Sequence, residues 1–152
     1  WLFVIIMPLG LTLGHFFGPA IAVPSLILVL LPSVLQRLMD GQMEYDFFGI
    51  CSSPVACIYF MQEDGKFYID YEAIGSDQLQ YIDKIRQYAA EQGCRVVDTT
   101  HGNTPIDFSE PAQAPVLSLR VDTDIDSIAN VGARLMQTIF QNTDTIPYEI
   151  VP

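Results

Sequence analysis

A histidine with two nearby acids lies in the longest connection between the elements predicted for this chain. His101 is preceded by Asp98 and followed by Asp107. An imidazole titrates near neutral pH and binds metal ions, so these three side chains form the candidate ligand or metal site. No second histidine occurs in residues 40–152, so a conventional metal centre lacks ligands. A purely structural loop is the alternative interpretation, and the sequence defines no cofactor.

A run of three alternating acids resembles the opening of a calcium-binding loop. Asp122, Asp124 and Asp126 have the right spacing, but an EF-hand also needs glycine at its sixth position and glutamate at its twelfth. Ser127 and Ala133 stand there instead. Acids also favour the start of a helix, where backbone N–H groups lack partners. We therefore predict helix capping rather than calcium binding.

The cysteines and the remaining motifs give no support for an enzyme. The three cysteines are Cys51, Cys57 and Cys94; their odd number suggests reduced thiols, and the spacing of the first two is not typical of a zinc or redox site. The chain contains no Gly-x-Ser-x-Gly elbow, no phosphate-binding glycine loop and no dinucleotide fingerprint. A non-enzymatic role is favoured.

The clearest structural signal is a β-hairpin around Asp64-Gly65, the preferred pair for a two-residue turn. Strands over 56–62 and 66–72 then place alternate side chains on opposite faces. The face predicted to join the core carries Ile58, Phe60, Phe67, Ile69 and Tyr71. The other face carries Tyr59, Tyr68, Asp70 and Glu72. If no helix covers this second face, Tyr59 and Tyr68 form a candidate docking surface for a protein partner.

The rest of the polar region alternates helices with strands. The predicted elements are a helix over 77–92 capped by Ser76 and ended by Gly93, a strand over 94–98, a loop over 99–115, a strand over 116–121, a helix over 125–141 and an edge strand over 145–151. With the hairpin, this order is ββαββαβ. It predicts a two-layer α+β sandwich, and omitting the first strand leaves the order of a ferredoxin-like variant.

The first 35 residues contain no charged side chain. A membrane-spanning helix needs roughly 20 apolar residues, so we predict a membrane-embedded segment of one or two short helices. Prolines divide it into 1–17, extending to 23 at most, and 25–39. The small residues that recur every fourth position predict a helix-packing face made by Gly10, Gly14, Gly18 and Ala22. The predicted division is 1–39 membrane segment, 40–55 junction and 56–152 extramembrane domain.

The net charge is confined to the second region. The net charge of −11 comes entirely from residues 43–152, because Arg37 and Asp40 cancel in the first 42. Nucleic acid needs clustered basic side chains, so it is excluded as a predicted partner. Arg37 flanks the apolar segment and favours a cytoplasmic position for the domain. The sequence thus predicts an integral membrane protein in contact with lipid and with other membrane subunits.

Two functional hypotheses follow. In the first, the chain is a non-enzymatic membrane protein, an accessory or assembly subunit whose acidic domain docks on a partner protein. In the second, it is a membrane-tethered sensory or regulatory domain that binds a small ligand or cation near His101.

Overall fold

A computed structural model describes residues 23–100, 114–121, 124–142 and 149–151, and for 23–29 it describes the backbone alone. Helix α1 precedes three strands, and helices α2 and α3 each connect strands further along the chain. The bounds are α1 Val23–Met39, β1 Phe47–Cys51, β2 Cys57–Glu63, β3 Lys66–Glu72, a 3₁₀ turn Leu79–Tyr81, α2 Ile82–Glu91, β4 Arg95–Thr100, β5 Pro115–Val121, α3 Ile125–Thr138 and β6 Glu149–Val151. The described residues therefore form an α+β fold.

The six strands make one sheet of order β4-β5-β3-β2-β1-β6, in which every neighbouring pair is antiparallel. The predicted order ββαββαβ is wrong because β1 lies in the segment predicted as a junction. A five-residue strand is too short for periodicity to identify it by itself. Strands β3, β4 and β5 have the relative positions of the ferredoxin-like order, but β2 and β1 separate β3 from β6.

The hairpin prediction is confirmed. Asp64 and Gly65 both have positive φ, at 51° and 75°, as the tight turn requires. The register pairs Glu63 with Lys66, and the five side chains predicted for the core are all buried. Alternation along these two strands therefore establishes which face of the sheet meets the helices.

Helix α3 packs directly on the buried face of the sheet at a glycine. A Cβ at Gly132 would collide with the ring of Phe60, whose Cε1 would be only 2.9 Å away. Helix α2 joins the same layer, because the hydroxyl of Tyr88 donates a hydrogen bond of 2.7 Å to the carbonyl of Val131. Core side chains from all three helices and the inner face of the sheet form one cluster.

Helix α1 belongs to this core, and the predicted membrane segment is contradicted. Its apolar residues Leu31, Val34, Leu35 and Leu38 are buried, whereas Ser33 and Gln36 on the other side are exposed. Among the described residues, no helix combines the length and the apolar character that a bilayer crossing requires. An integral membrane location is therefore not supported. The physical reason is that a six-stranded sheet offers far more apolar surface than the sequence reading allowed for, and a strongly apolar helix is needed to cover it.

The first predicted membrane helix, 1–17, and the glycine series Gly10, Gly14, Gly18 and Ala22 lie outside the described residues. The second predicted piece, 25–39, corresponds to α1. For the part whose side chains are described, 30–39, burial of Leu31, Val34, Leu35 and Leu38 against protein explains the apolar pattern.

Helix ends were predicted with mixed success. Asp124 caps α3, accepting a hydrogen bond of 2.8 Å from the backbone N–H of Ser127, as expected. Gly93 has φ +72° just beyond α2, in agreement with its predicted role as the C-terminal stop. Ser76 is not a cap, because a 3₁₀ turn without a side-chain cap precedes α2.

Candidate functional site

One face of the sheet is left uncovered by α1, α2 and α3, and we call it the open face. It carries the half-buried side chains of Phe47, Tyr59, Met61, Tyr68 and Arg120. The register places Met61 between Phe47 and Tyr68, and Tyr68 beside Arg120. Tyr59 and Tyr68 therefore lie where the sequence placed them, on the side of the sheet away from the described helices.

The aromatic side chains on this face contact one another. Exposed Tyr45, just before β1, lies 5.6 Å from Phe47 between ring centroids, and Phe47 meets Tyr59 edge-on at 6.4 Å. The guanidinium of Arg120 lies 3.8 Å from the centroid of the Tyr68 ring, a cation–π geometry. Half-exposed aromatic groups held in fixed positions by neighbours suit a recognition surface, because little side-chain freedom is lost on binding.

Asp70 lies next to this aromatic group on the open face, and its carboxylate is largely buried. Burial raises its pKa, and the nearby Glu72 charge adds to that effect; a hydrogen bond from Ser118 and the charge of Arg120 act in the opposite direction. One Asp70 carboxylate oxygen and Arg120 Nε are buried without a hydrogen-bond partner. The hydrogen bond from Ser118 and the charge of Arg120 therefore offset the burial of the Asp70 carboxylate only in part.

The stability of Asp70→Asn relative to wild type is expected to increase as pH rises. Because the folded pKa of Asp70 lies above its ordinary value of 3.8, the folded wild type binds more protons than the unfolded chain between those two values. Wild-type stability attributable to this group is therefore present at lower pH and lost as pH rises through that window. Urea unfolding of both proteins between pH 3 and pH 7 measures the difference in their free energies of unfolding. A difference that does not change with pH would contradict the raised pKa of Asp70.

Ser118→Ala provides a matched control for this titration. Ser118 is buried and forms the hydrogen bond that lowers the Asp70 pKa. Loss of this hydrogen bond is expected to raise the Asp70 pKa further and so widen the pH window. Ser118→Ala should therefore lose stability relative to wild type as pH rises, whereas Asp70→Asn gains it.

A cleft of about 830 Å³ opens at one end of the open face. The connection 52–56 forms one wall, the segment 72–78 forms another, and the edge strand β6 contributes a third. The lining residues are Cys51, Ser52, Ser53, Pro54, Cys57, Tyr59, Glu72, Ile74, Gly75, Gln78, Glu149 and Val151. This volume lies in the range of small-molecule sites in proteins.

Gln78 fixes the two loops that form the cleft. Its side-chain oxygen accepts a 2.7 Å hydrogen bond from the Gly75 N–H, and its amide nitrogen donates to the carbonyls of Glu72 at 3.0 Å and Pro54 at 3.5 Å. The buried hydroxyl of Tyr71 reaches the carbonyls of Gln78 and Val55, each at 3.3 Å. Because these groups are largely buried and paired, the cleft walls are held in one arrangement.

Gly49 makes room for the tyrosine in the cleft. It lies opposite Tyr59 and Val151 in the register, and a Cβ there would approach their side chains to 2.8 Å and 2.7 Å. The Tyr59 ring can therefore lie across β1 toward the edge strand. Burial raises the pKa of Tyr59, and the charge of Glu72 raises it further, so its hydroxyl remains a hydrogen-bond donor.

A disulfide joins the two strands beside the cleft. Cys51 ends β1 and Cys57 begins β2, and the two are directly paired in the register with Cα atoms 4.1 Å apart. The expectation of reduced thiols is therefore wrong for this pair, while Cys94 is free and half-buried. Their pairing was not predicted because Cys51 falls in the segment 40–55, which was predicted as a junction and not as a strand that pairs with the one carrying Cys57.

The loop site predicted from sequence is not assembled in the described residues. His101 and Asp107 lie outside them. Asp98 lies on β4, where its two oxygens accept hydrogen bonds of 2.7 Å and 2.9 Å from Arg86. That guanidinium lowers the Asp98 pKa. Asp98 thus has an exposed structural partner, and within the described ranges no group of three or more His, Cys, Asp or Glu side chains is placed to hold a metal ion.

The sequence reading missed Gln78, Gly49 and Glu149 as site residues. A glycine inside an aromatic strand is a recognisable sign of close approach by a neighbouring group. Gln78 and Glu149 carried no such sign, because their importance depends on loops that meet only in the folded chain.

Comparison of this chain with protein-family models, with curated proteins and with solved structures finds no match.

Proposed function

We propose that this chain is a non-enzymatic interaction domain whose open face docks on a basic partner protein. The observation that carries the proposal is the side-by-side placement of Phe47, Tyr59, Met61 and Tyr68 on a sheet face left uncovered by the described helices. Aromatic residues and methionine are enriched in protein interfaces, and tyrosines frequently contribute most of the binding energy.

Charge selects the class of partner. With a net charge of −11, two copies of this chain repel each other at long range, and a nucleic acid is repelled for the same reason. A basic protein is attracted, which speeds encounter and favours it over neutral competitors. The Tyr68 ring with its stacked Arg120 then provides a rigid contact at the centre of the face.

The alternative of a sensory or regulatory domain centred on His101 receives less support. Asp98, one of its three candidate residues, lies on the edge strand β4 and is already paired with Arg86 of α2. Among the described residues that line the cleft beside Tyr59, Asp98 does not occur.

A photo-reactive amino acid placed at position 61, in exchange for Met61, cross-links the full chain to its partner and identifies it. Titration with that purified partner then tests the proposal. Tyr68→Ala is expected to weaken binding roughly thirtyfold, which corresponds to about 2 kcal/mol for an interface tyrosine. Affinity should also fall as salt concentration rises.

Met39→Ala is the matched control, because Met39 is an exposed apolar residue on the helical layer. It should leave the affinity unchanged. A cross-linked partner whose binding survives Tyr68→Ala, a cross-link only to a second copy of this chain, or the absence of any cross-linked protein would each overturn the proposal.

A further inference from the structure

The Cys51–Cys57 disulfide lies on the open face, at the border of the cleft. Alternation puts Cys57 on the same side of β2 as Tyr59, and the register places Cys51 directly opposite Cys57. Cys57 is buried, whereas Cys51 is half-buried, and both residues line the cleft. A dissolved thiol can therefore reach this disulfide from the solvent side of the sheet, without entry into the core.

Backbone pairing keeps the two cysteines together whether or not their sulfurs are bonded. They are the last of five consecutive cross-strand pairs that join β1 to β2. Just beyond them, the N–H of Ser52 donates a 2.9 Å hydrogen bond to the carbonyl of Ala56. Two thiols held opposite each other in this register would react at a high effective concentration, so the disulfide can re-form without refolding of the chain.

The disulfide supports two peripheral parts of the fold. It joins the ends of the irregular connection 52–56, which forms one wall of the cleft. It also fixes the end of β1 against which the three-residue edge strand β6 pairs, since Glu149 lies directly opposite Cys51. Short edge elements and irregular connections are the parts of a protein that open locally at the lowest free energy. Loss of the disulfide should therefore loosen these two parts and leave the helix-covered core intact.

We infer that Cys51 and Cys57 form a reversible redox switch, in which a thiol reductant loosens the 52–56 wall and β6 without unfolding the domain. A thiolate of a dithiol reductant attacks Cys51 Sγ, the S–S bond breaks, and Cys57 Sγ leaves as a thiolate that takes up a proton. The second thiol of the reductant then attacks the reductant's own sulfur in the mixed disulfide and expels Cys51, which is protonated in turn. The chain gains two electrons and two protons, and the reductant becomes a cyclic disulfide.

The switch does not depend on the docking proposal, because it concerns the cysteine pair rather than Tyr68. Dithiothreitol tests whether it operates in the folded state. Alkylation and mass spectrometry of the full chain are expected to show two new thiols besides Cys94, formed at a rate proportional to the reductant concentration. Because the disulfide is reached from the open face, this rate should stay constant in urea concentrations below the unfolding transition. Removal of the dithiol and addition of oxidised glutathione should restore the bond.

Hydrogen exchange measures what the disulfide holds in place. Reduction is expected to make the amides of 52–56 and of β6 exchange about tenfold faster, with no change in β3 and β5. The double variant Cys51→Ser/Cys57→Ser should reproduce this pattern without any reductant.

Cys94→Ser is the matched control, because Cys94 is the free cysteine and lies outside the cleft lining. It should keep the exchange pattern of the oxidised wild type and respond to dithiothreitol in the same way. Reduction that occurs only in step with urea unfolding, exchange at 52–56 and β6 that reduction leaves unchanged, or a bond that does not re-form would each overturn the inference. Absence of the Cys51–Cys57 bond from the air-oxidised chain would do the same.

Discussion

Replacing Leu35 by alanine is expected to lower the free energy of unfolding by about 2–5 kcal/mol. Leu35 has no exposed surface, and it belongs to the same core cluster as the sheet and the other two helices. Truncation removes apolar contacts and leaves a cavity that a close-packed interior cannot readily fill. Urea denaturation of the full chain, followed by circular dichroism, measures the change.

Ser33→Ala is the control for this experiment, because Ser33 is exposed on the same helix two residues earlier. It should change stability by no more than about 0.5 kcal/mol. If Leu35→Ala were equally mild, α1 would not be packed in the domain core. The explanation of its apolar character by burial against protein would then fail.

Gly132→Val is expected to destabilise the protein by about 3 kcal/mol, at the upper end of the usual cost of overpacking. Even a methyl group at this position would overlap the Phe60 ring. That ring cannot withdraw, because it is fully buried and stacks on Phe48 with centroids 5.1 Å apart. Helix α3 would have to move off the sheet, so the loss should appear as a lower denaturation midpoint.

A double-mutant cycle identifies the colliding partner. In a Phe60→Leu background, Gly132→Val should cost about 1 kcal/mol less than in wild type, because the shorter side chain vacates the space that the valine needs. Asn130→Val, at an exposed site on the same helix, should be close to neutral. Strict additivity of the two substitutions would show that α3 and β2 do not meet at this pair.

The aromatic group and the cleft occupy different parts of the open face. The aromatic group centred on Tyr68 lies over β1, β2 and β3, while the cleft lies at the end where β1, β2 and β6 meet the 72–78 segment. Tyr59 borders both.

Local sequence determined the parts of this protein whose partners are close along the chain. Asp64-Gly65 specified the hairpin and its register, and alternation in β2 and β3 specified which side chains face inward. Asp124 specified the start of α3. Each of these features depends on backbone geometry and period within a few residues, which sequence records directly. The two candidate docking tyrosines, Tyr59 and Tyr68, followed from the same alternation.

Tertiary structure decided what each apolar surface contacts. The pattern in 25–39 specifies that those residues avoid water, and a lipid bilayer and a protein core satisfy that requirement equally. Only the pairing of β1 with both β2 and β6 creates a sheet broad enough to need α1 as cover. The same pairing brings Cys51 to Cys57 and Glu149 toward the cleft. Contacts between residues distant in sequence depend on the whole packed arrangement, because hydrophobic burial is non-directional and does not itself select a partner.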